Sequence, residues 1–312
     1  MHRFIIPQGM NKWLRGSIKD EFVVRPYNER LPVVFMHVPK AAGVALTDTL
    51  EKTLQPRHIV RGFDRVLFGA FDRFDTFSAE ERSRIYVEPA YVPTDGDFVS
   101  AHMALSTLVR QYKTANHMTI LREPLSRILS HWIFWRGTAD EYLGQVGYWA
   151  EYVRQARKPL CEFLCCEDLA CVDNLTTRML LWPHAKIPDG RFVDPQHDKA
   201  LLDEAIGRLK FFAFVDLIEN PQWQANLQSW LGKPLQWSRL NETNALPAPV
   251  ACPLHDELTS KTIALLEKRT RLDLALWFAV ARGRLVDVDL QGLRQAVVLQ
   301  SVARYALLTS GK

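Results

Sequence analysis

Apolar positions along the chain alternate between two periods. Val33 to Met36 is apolar and rich in β-branched or aromatic residues, a pattern that predicts a strand buried on both faces of a parallel sheet. Asn116 to Leu121 and the run FFAFVDL ending at Leu217 predict further strands, while FVSAHMALSTLVRQY reads as a short extended piece, a polar junction at Ser100 and His102, and then a helix. Helical spacing recurs from near Val44 to Leu54, after Pro124 in LSRILSHWIFWR, through 141–181, over 201–209 and over 258–280. Arg57 to Phe77 is either a substrate-facing loop or a short surface helix, and Asn241 to Pro253 reads as a mobile loop. Strands alternating with helices predict an α/β fold with a parallel sheet flanked by helices. An arm over 1–30 precedes the main domain at 31–282, with Trp13, Phe22, Val23 and Val24 able to pack back on it; residues 283–312 form a helical tail packed on the domain.

One junction in this pattern carries chemistry. In LPVVFMHVPKAAGVAL, Pro39 ends the strand because it has no amide hydrogen, and Ala41, Ala42 and Gly43 let the backbone curl closely before a helix opens. The helix start directs free amides and a positive dipole end toward the turn, and Lys40 adds a mobile full charge. Together they read as a phosphate or sulfate cradle, against an ordinary strand-to-helix turn with an exposed lysine. Lys40 is followed by Ala41 rather than Ser or Thr, which argues against a metal-linked triphosphate loop. Arg122 directly follows the strand at 116–121, so a second ligand site is expected beside the first at the carboxyl edge of the sheet.

Composition narrows the class without choosing a reaction. The 312 residues, 47% hydrophobic and 24% charged, exclude a disordered or fibrous chain. A formal charge of +4 favours an anionic small molecule or glycan and does not specify nucleic acid. The first twenty residues, interrupted by Pro7 and Gly9, fit neither a signal peptide nor a membrane span, so a cytoplasmic location is expected. Cys161, Cys165, Cys166, Cys171 and Cys252 have no histidine at zinc-finger spacing and sit in apolar helical sequence, so buried free thiols are expected and no metal site.

Taken in order, HVPKAAGVAL, SAHMAL, ILREPLSRILSHW, NLTTRML, FVDLIEN, LNET and DLALWFA resemble the carbohydrate sulfotransferases, nearest to their uronyl and heparan 2-O-sulfotransferase branch. The resemblance spans roughly residues 31–280. It implies a P-loop-like sulfotransferase fold and transfer of a sulfuryl group from 3′-phosphoadenosine 5′-phosphosulfate (PAPS) to a hydroxyl of a glycan or glycolipid acceptor, with adenosine 3′,5′-bisphosphate (PAP) as product. By the same resemblance Lys40 and the backbone of Ala41, Ala42, Gly43, Val44 and Ala45 hold the 5′-phosphosulfate, Arg122 and Ser130 hold the 3′-phosphate, and His102 is the general base. Arg239 and Thr243, in SRLNETN, lie over the adenosine end or in a solvated loop. Arg57, Arg61, Arg65 and Arg73, interleaved with Phe63, Phe68 and Phe71, meet an acidic sugar or form a solvated surface element, with Arg61 and Arg65 the expected acceptor contacts.

Several positions depart from that pattern. Ala41, Val44 and Ala45 stand where many relatives carry hydroxyls, Thr47 is one position too far along the helix to replace them, and Ala101 replaces a glycine. His102 serves as a base near neutral pH if its pKa stays near the usual ~6.5. His37, inside a strand pattern, and His131, in an aromatic helix, suit core roles better. The rival readings are a nucleotide-dependent kinase and a catalytically silent nucleotide- or glycan-binding protein of the same fold.

Overall fold

The structure is a computed structural model that describes residues 25–68, 74–237 and 245–310. Five strands, β1 (Val33–Met36), β2 (Ile59–Phe63), β3 (Phe98–His102), β4 (Asn116–Leu121) and β5 (Phe214–Leu217), form one all-parallel sheet in the order β2-β3-β1-β4-β5. The longer helices are α1 (Gly43–Leu54), α2 (Leu105–Gln111), α3 (Pro124–Arg136), α4 (Leu175–Leu181), α5 (Asp198–Leu209), α6 (Trp223–Leu231), α7 (Ser260–Arg284) and α8 (Leu290–Thr309). A parallel sheet flanked by helices is the arrangement of P-loop-like α/β proteins.

Strand parity divides the core. Val33 and Phe35 of β1, Phe98 of β3 and Met118 and Ile120 of β4 pack with Leu46 and Leu50 of α1 and Leu227 and Trp230 of α6. The alternate residues Val34, Met36, Val99 and Ala101 face the larger cluster made with α2, α3, α4, α7 and α8. His37 therefore continues the Phe35 face and points under α1. Chain order places the switch at β1: the chain leaves β1 for β2, returns as β3 beside β1, then crosses to β4 on its other side. Ligands of such sheets bind outside the carboxyl ends of the strands at this crevice.

Local chemistry explains the boundaries. Pro124 opens α3, and Glu123 caps it, its Oε2 accepting from the Ser126 amide at 2.7 Å. Asn174 enters α4 in the left-handed region, with φ +48°. The tail is a 20-residue helix, α8, packed on α3.

Two expectations need correction. The 57–77 segment is not simply a loop or surface helix: Ile59–Phe63 is an edge strand with alternating burial, and only Arg65–Phe68 and Phe74–Thr76 are helical turns. The aromatic and charged residues hid a strand whose outer face is solvated. The cysteines are free, but Cys171 alone is buried and Cys165 is exposed, because the region folds as the four-residue helix Leu160–Phe163 and a turn instead of one apolar helix. Among the described residues no group of three or more His, Cys, Asp or Glu could hold a metal ion, and no helix is long and apolar enough to cross a membrane. The expected packing of Trp13, Phe22, Val23 and Val24, and the positions of Arg239, Thr243, Phe71 and Arg73, lie outside the described residues.

Candidate anion and transfer site

Lys40, His102 and Arg122 meet at one edge of the sheet because they follow or end β1, β3 and β4. The loop from Val38 to Gly43 turns tightly: Ala41 donates to the Val38 carbonyl at 3.3 Å, and Lys40 and Ala42 take left-handed φ values of +65° and +58°. These conformations are costly for residues with a Cβ and persist only where surroundings impose them. Ala42 caps α1 without a side-chain bond, and among the described residues no acceptor meets the amides of Gly43, Val44 or Ala45. Three converging donors at the start of a 12-residue helix are the physical content of the cradle.

Gly43 is needed for a reason other than closeness to a ligand. A Cβ built there would fall 1.8 Å from Nε2 of His37. That imidazole is 8% exposed and wedged beneath the loop, stacked on Phe35 with ring centres 5.2 Å apart and lying 4.1 Å from the ring of His102. Phe63 closes the row on the other side of His102 at 5.3 Å.

His102 Nδ1 lies 2.6 Å from the His37 carbonyl oxygen, an acceptor, so Nδ1 carries the hydrogen and Nε2 is left as the lone-pair nitrogen. Burial pushes its pKa down to about 4, only partly offset by that bond, so the ordinary imidazole value is not met and the ring is neutral at pH 7. His37 is held well below the usual histidine range by burial, and by His102 and Lys40. The β3 end is braced by Asp64, which accepts from the Ala104 amide at 2.8 Å and from Thr107 Oγ1 at 2.7 Å. Asp64 is 4% exposed, and burial raises its pKa against these bonds.

Lys40 Nζ sits 4.0 Å from the centre of the Phe134 ring, a cation–π contact at the end of α3. Burial, and then the neighbouring Arg122, push its pKa down to about 8, which still leaves it mostly charged at pH 7. Arg122 Nη1 donates to the Lys40 carbonyl at 3.0 Å and its Nη2 to the Tyr305 hydroxyl at 2.8 Å. The two expected ends of the site are thus joined by a direct bond.

Ser130 is 2% exposed on α3, one turn before Phe134 and so on the side of the helix that meets Lys40. Its hydroxyl has no hydrogen-bond partner among the described residues. Arg127 is turned inward, giving Nη2 to the Cys171 carbonyl at 2.9 Å, and His131 is buried beside Trp135. Thr47 does not reach the loop: its hydroxyl bonds Ser100 Oγ at 2.6 Å. Arg61 pairs with Glu51 of α1, and Arg65 is exposed on the turn after β2.

The donor set fits an anionic nucleotide in part. Free amides at the helix start, the Lys40 ammonium and the uncommitted hydrogens of Arg122 suit phosphate or sulfate oxygens, whereas Val44 and Ala45 offer side chains without hydroxyls. Sequence reasoning missed His37 as the wedge under the loop, Phe134 as the seat of Lys40 and Tyr305 as the partner of Arg122. For His37 a signal existed, since it shares the parity of Phe35 at a strand end. For Tyr305, 183 positions from Arg122, none did. A groove of about 660 Å³ between 26–30 and 231–233 opens at the opposite edge of the sheet, away from these groups. In comparison with known proteins, no family model and no curated sequence matches the chain.

Proposed function

We propose that this chain is a sulfotransferase of the P-loop-like α/β class, moving a sulfuryl group from PAPS to a hydroxyl of a glycan or glycolipid. The observation that carries the reading is the convergence of Lys40, Arg122 and the unbonded amides of Gly43 to Ala45, with a neutral His102 at the end of the adjacent strand. The family resemblance of the ordered sequence motifs supports it independently.

The bound donor would supply an activated sulfuryl group attached to a phosphate oxygen. Lys40 and the α1 amides would hold the 5′ end and stabilise negative charge developing there. Arg122 and Ser130 would hold the 3′-phosphate and contribute through positioning. His102, kept neutral by burial and with Nε2 left bare because Nδ1 is committed to the His37 carbonyl, would take the acceptor proton as a weak base with a pKa of about 4. Arg61, which is paired with Glu51 of α1, and the exposed Arg65 are the proposed contacts for an acidic acceptor.

The test compares binding of PAP, adenosine 5′-phosphate and magnesium ATP, followed by transfer of labelled sulfate to an acceptor panel. Preference for PAP that disappears in Arg122→Ala is expected; preference for magnesium ATP would select a kinase instead. His102→Ala is expected to slow transfer about 100 to 10,000 times while PAP affinity stays unchanged. The apolar side chains at Ala41, Val44 and Ala45 favour a second reading, a silent binding protein, which PAP binding without any sulfate transfer would select.

A further inference from the structure

The C-terminal helix α8 reaches into the candidate site in a way its sequence does not announce. Residues 122 and 123, at the exit of β4, are each held by it: Arg122 Nη2 donates to Tyr305 Oη at 2.8 Å, and Arg294 Nε donates to Glu123 Oε1 at 3.3 Å. Arg294 is 3% exposed, Glu123 0% and Tyr305 2%, so these are interior contacts. Arg294 and Tyr305 lie about three turns apart, so α8 spans this junction with one grip at each end. The last turn of α8 also fastens the segment that follows the SRLNETN loop. Leu246 donates its amide to the Leu308 carbonyl at 2.7 Å, and Leu254 its amide to Thr309 Oγ1 at 3.2 Å.

The phenol of Tyr305 makes no other hydrogen bond among the described residues. It accepts from Arg122 and leaves its own proton uncommitted. Arg122 is consequently fixed on two sides, by the Lys40 carbonyl in the loop and by Tyr305 in the tail. Without the second contact the guanidinium could pivot about its bond to the loop.

Resting on the sulfotransferase reading, we propose that Tyr305 is a positioning residue for the nucleotide: it aims the Arg122 fork at the 3′-phosphate and makes α8 part of the ligand site. A bond from a charged donor to a neutral acceptor in a partly dry site supports an effect of about tenfold on affinity.

The experiment measures the affinities of PAP and adenosine 5′-phosphate for the full chain, Arg122→Ala and Tyr305→Phe. Tyr305→Phe keeps the ring in the core and deletes only the hydroxyl. The expected result is about a tenfold weaker PAP affinity, an adenosine 5′-phosphate affinity within about twofold of the parent chain, and hence a collapse of selectivity for the 3′-phosphate. A merely structural role would weaken both ligands together and would overturn the proposal. An unchanged or tighter PAP affinity in Tyr305→Phe, with selectivity erased in Arg122→Ala, would also overturn it while leaving the sulfotransferase reading intact. Absence of PAP selectivity in the parent chain would remove that reading, and this proposal with it. Amide hydrogen exchange on the unsubstituted chain gives a second measure: PAP, but not adenosine 5′-phosphate, is expected to slow exchange in α8, and equal exchange with both ligands counts against the role of Tyr305.

Discussion

Gly43→Ala isolates the contact between the anion loop and the histidine row. The added Cβ would stand 1.8, 2.0 and 2.4 Å from Nε2, Cδ2 and Cε1 of His37. Ordinary contact begins near 3.4 Å, so the ring has to withdraw by about 1.6 Å. It has little room, since Phe35 stacks on it at 5.2 Å with planes 9° apart and His102 lies 4.1 Å away. Overpacking of this kind costs about 1–3 kcal/mol. His37→Ala alone leaves a void and is also destabilising. The double variant places the new methyl in the vacated space, so its loss of stability should be smaller than the two single losses together by at least about 1 kcal/mol. Equilibrium urea unfolding of the four proteins, followed by tryptophan fluorescence, measures this coupling. Additivity within about 0.5 kcal/mol would falsify the wedge.

Two further predictions concern buried charge. Asp173 and Arg178, 1% and 4% exposed at their side chains, pair at 2.7 Å, and Asp173 also accepts from the Val193 amide at 2.8 Å; Asp173→Ala leaves the buried guanidinium with carbonyl partners but without its carboxylate and is expected to cost about 3 kcal/mol. A change below about 1 kcal/mol in the unfolding free energy would refute that pairing. Glu219 accepts from the Glu123 amide at 2.8 Å and from Trp277 Nε1 at 3.0 Å, yet burial pushes its pKa up to about 7. Its folded pKa exceeds the ordinary value, so the stability it lends is fully present below about 4.5 and is lost as pH rises through about 7, on the order of 3 kcal/mol. Glu219→Gln should flatten the stability profile across that window; an unaltered slope between about pH 5 and pH 8 would exclude Glu219 as its source.

Periodicity made much of the scaffold legible. Val33–Met36 is a strand buried along its length, as expected, Asn116–Leu121 is a strand where one was expected, and α7 and α8 occupy the last two helical stretches. These elements bury whole faces, which leaves a clear pattern in residue order. Ile59–Phe63 escaped because an edge strand needs only one dry face: Val60 and Gly62 are buried while Ile59 and Arg61 are exposed.

The chain's own order determined that Lys40 would follow β1, that His102 would end β3 and that Arg122 would follow β4, because strand ends and turn residues are local properties. That Arg122 grips the Lys40 carbonyl, that His37 fills the space Gly43 leaves, and that Tyr305 reaches back from the tail were decided only by tertiary packing. The same is true of the His102 pKa near 4, since desolvation depends on which distant atoms exclude water and no local pattern encodes that.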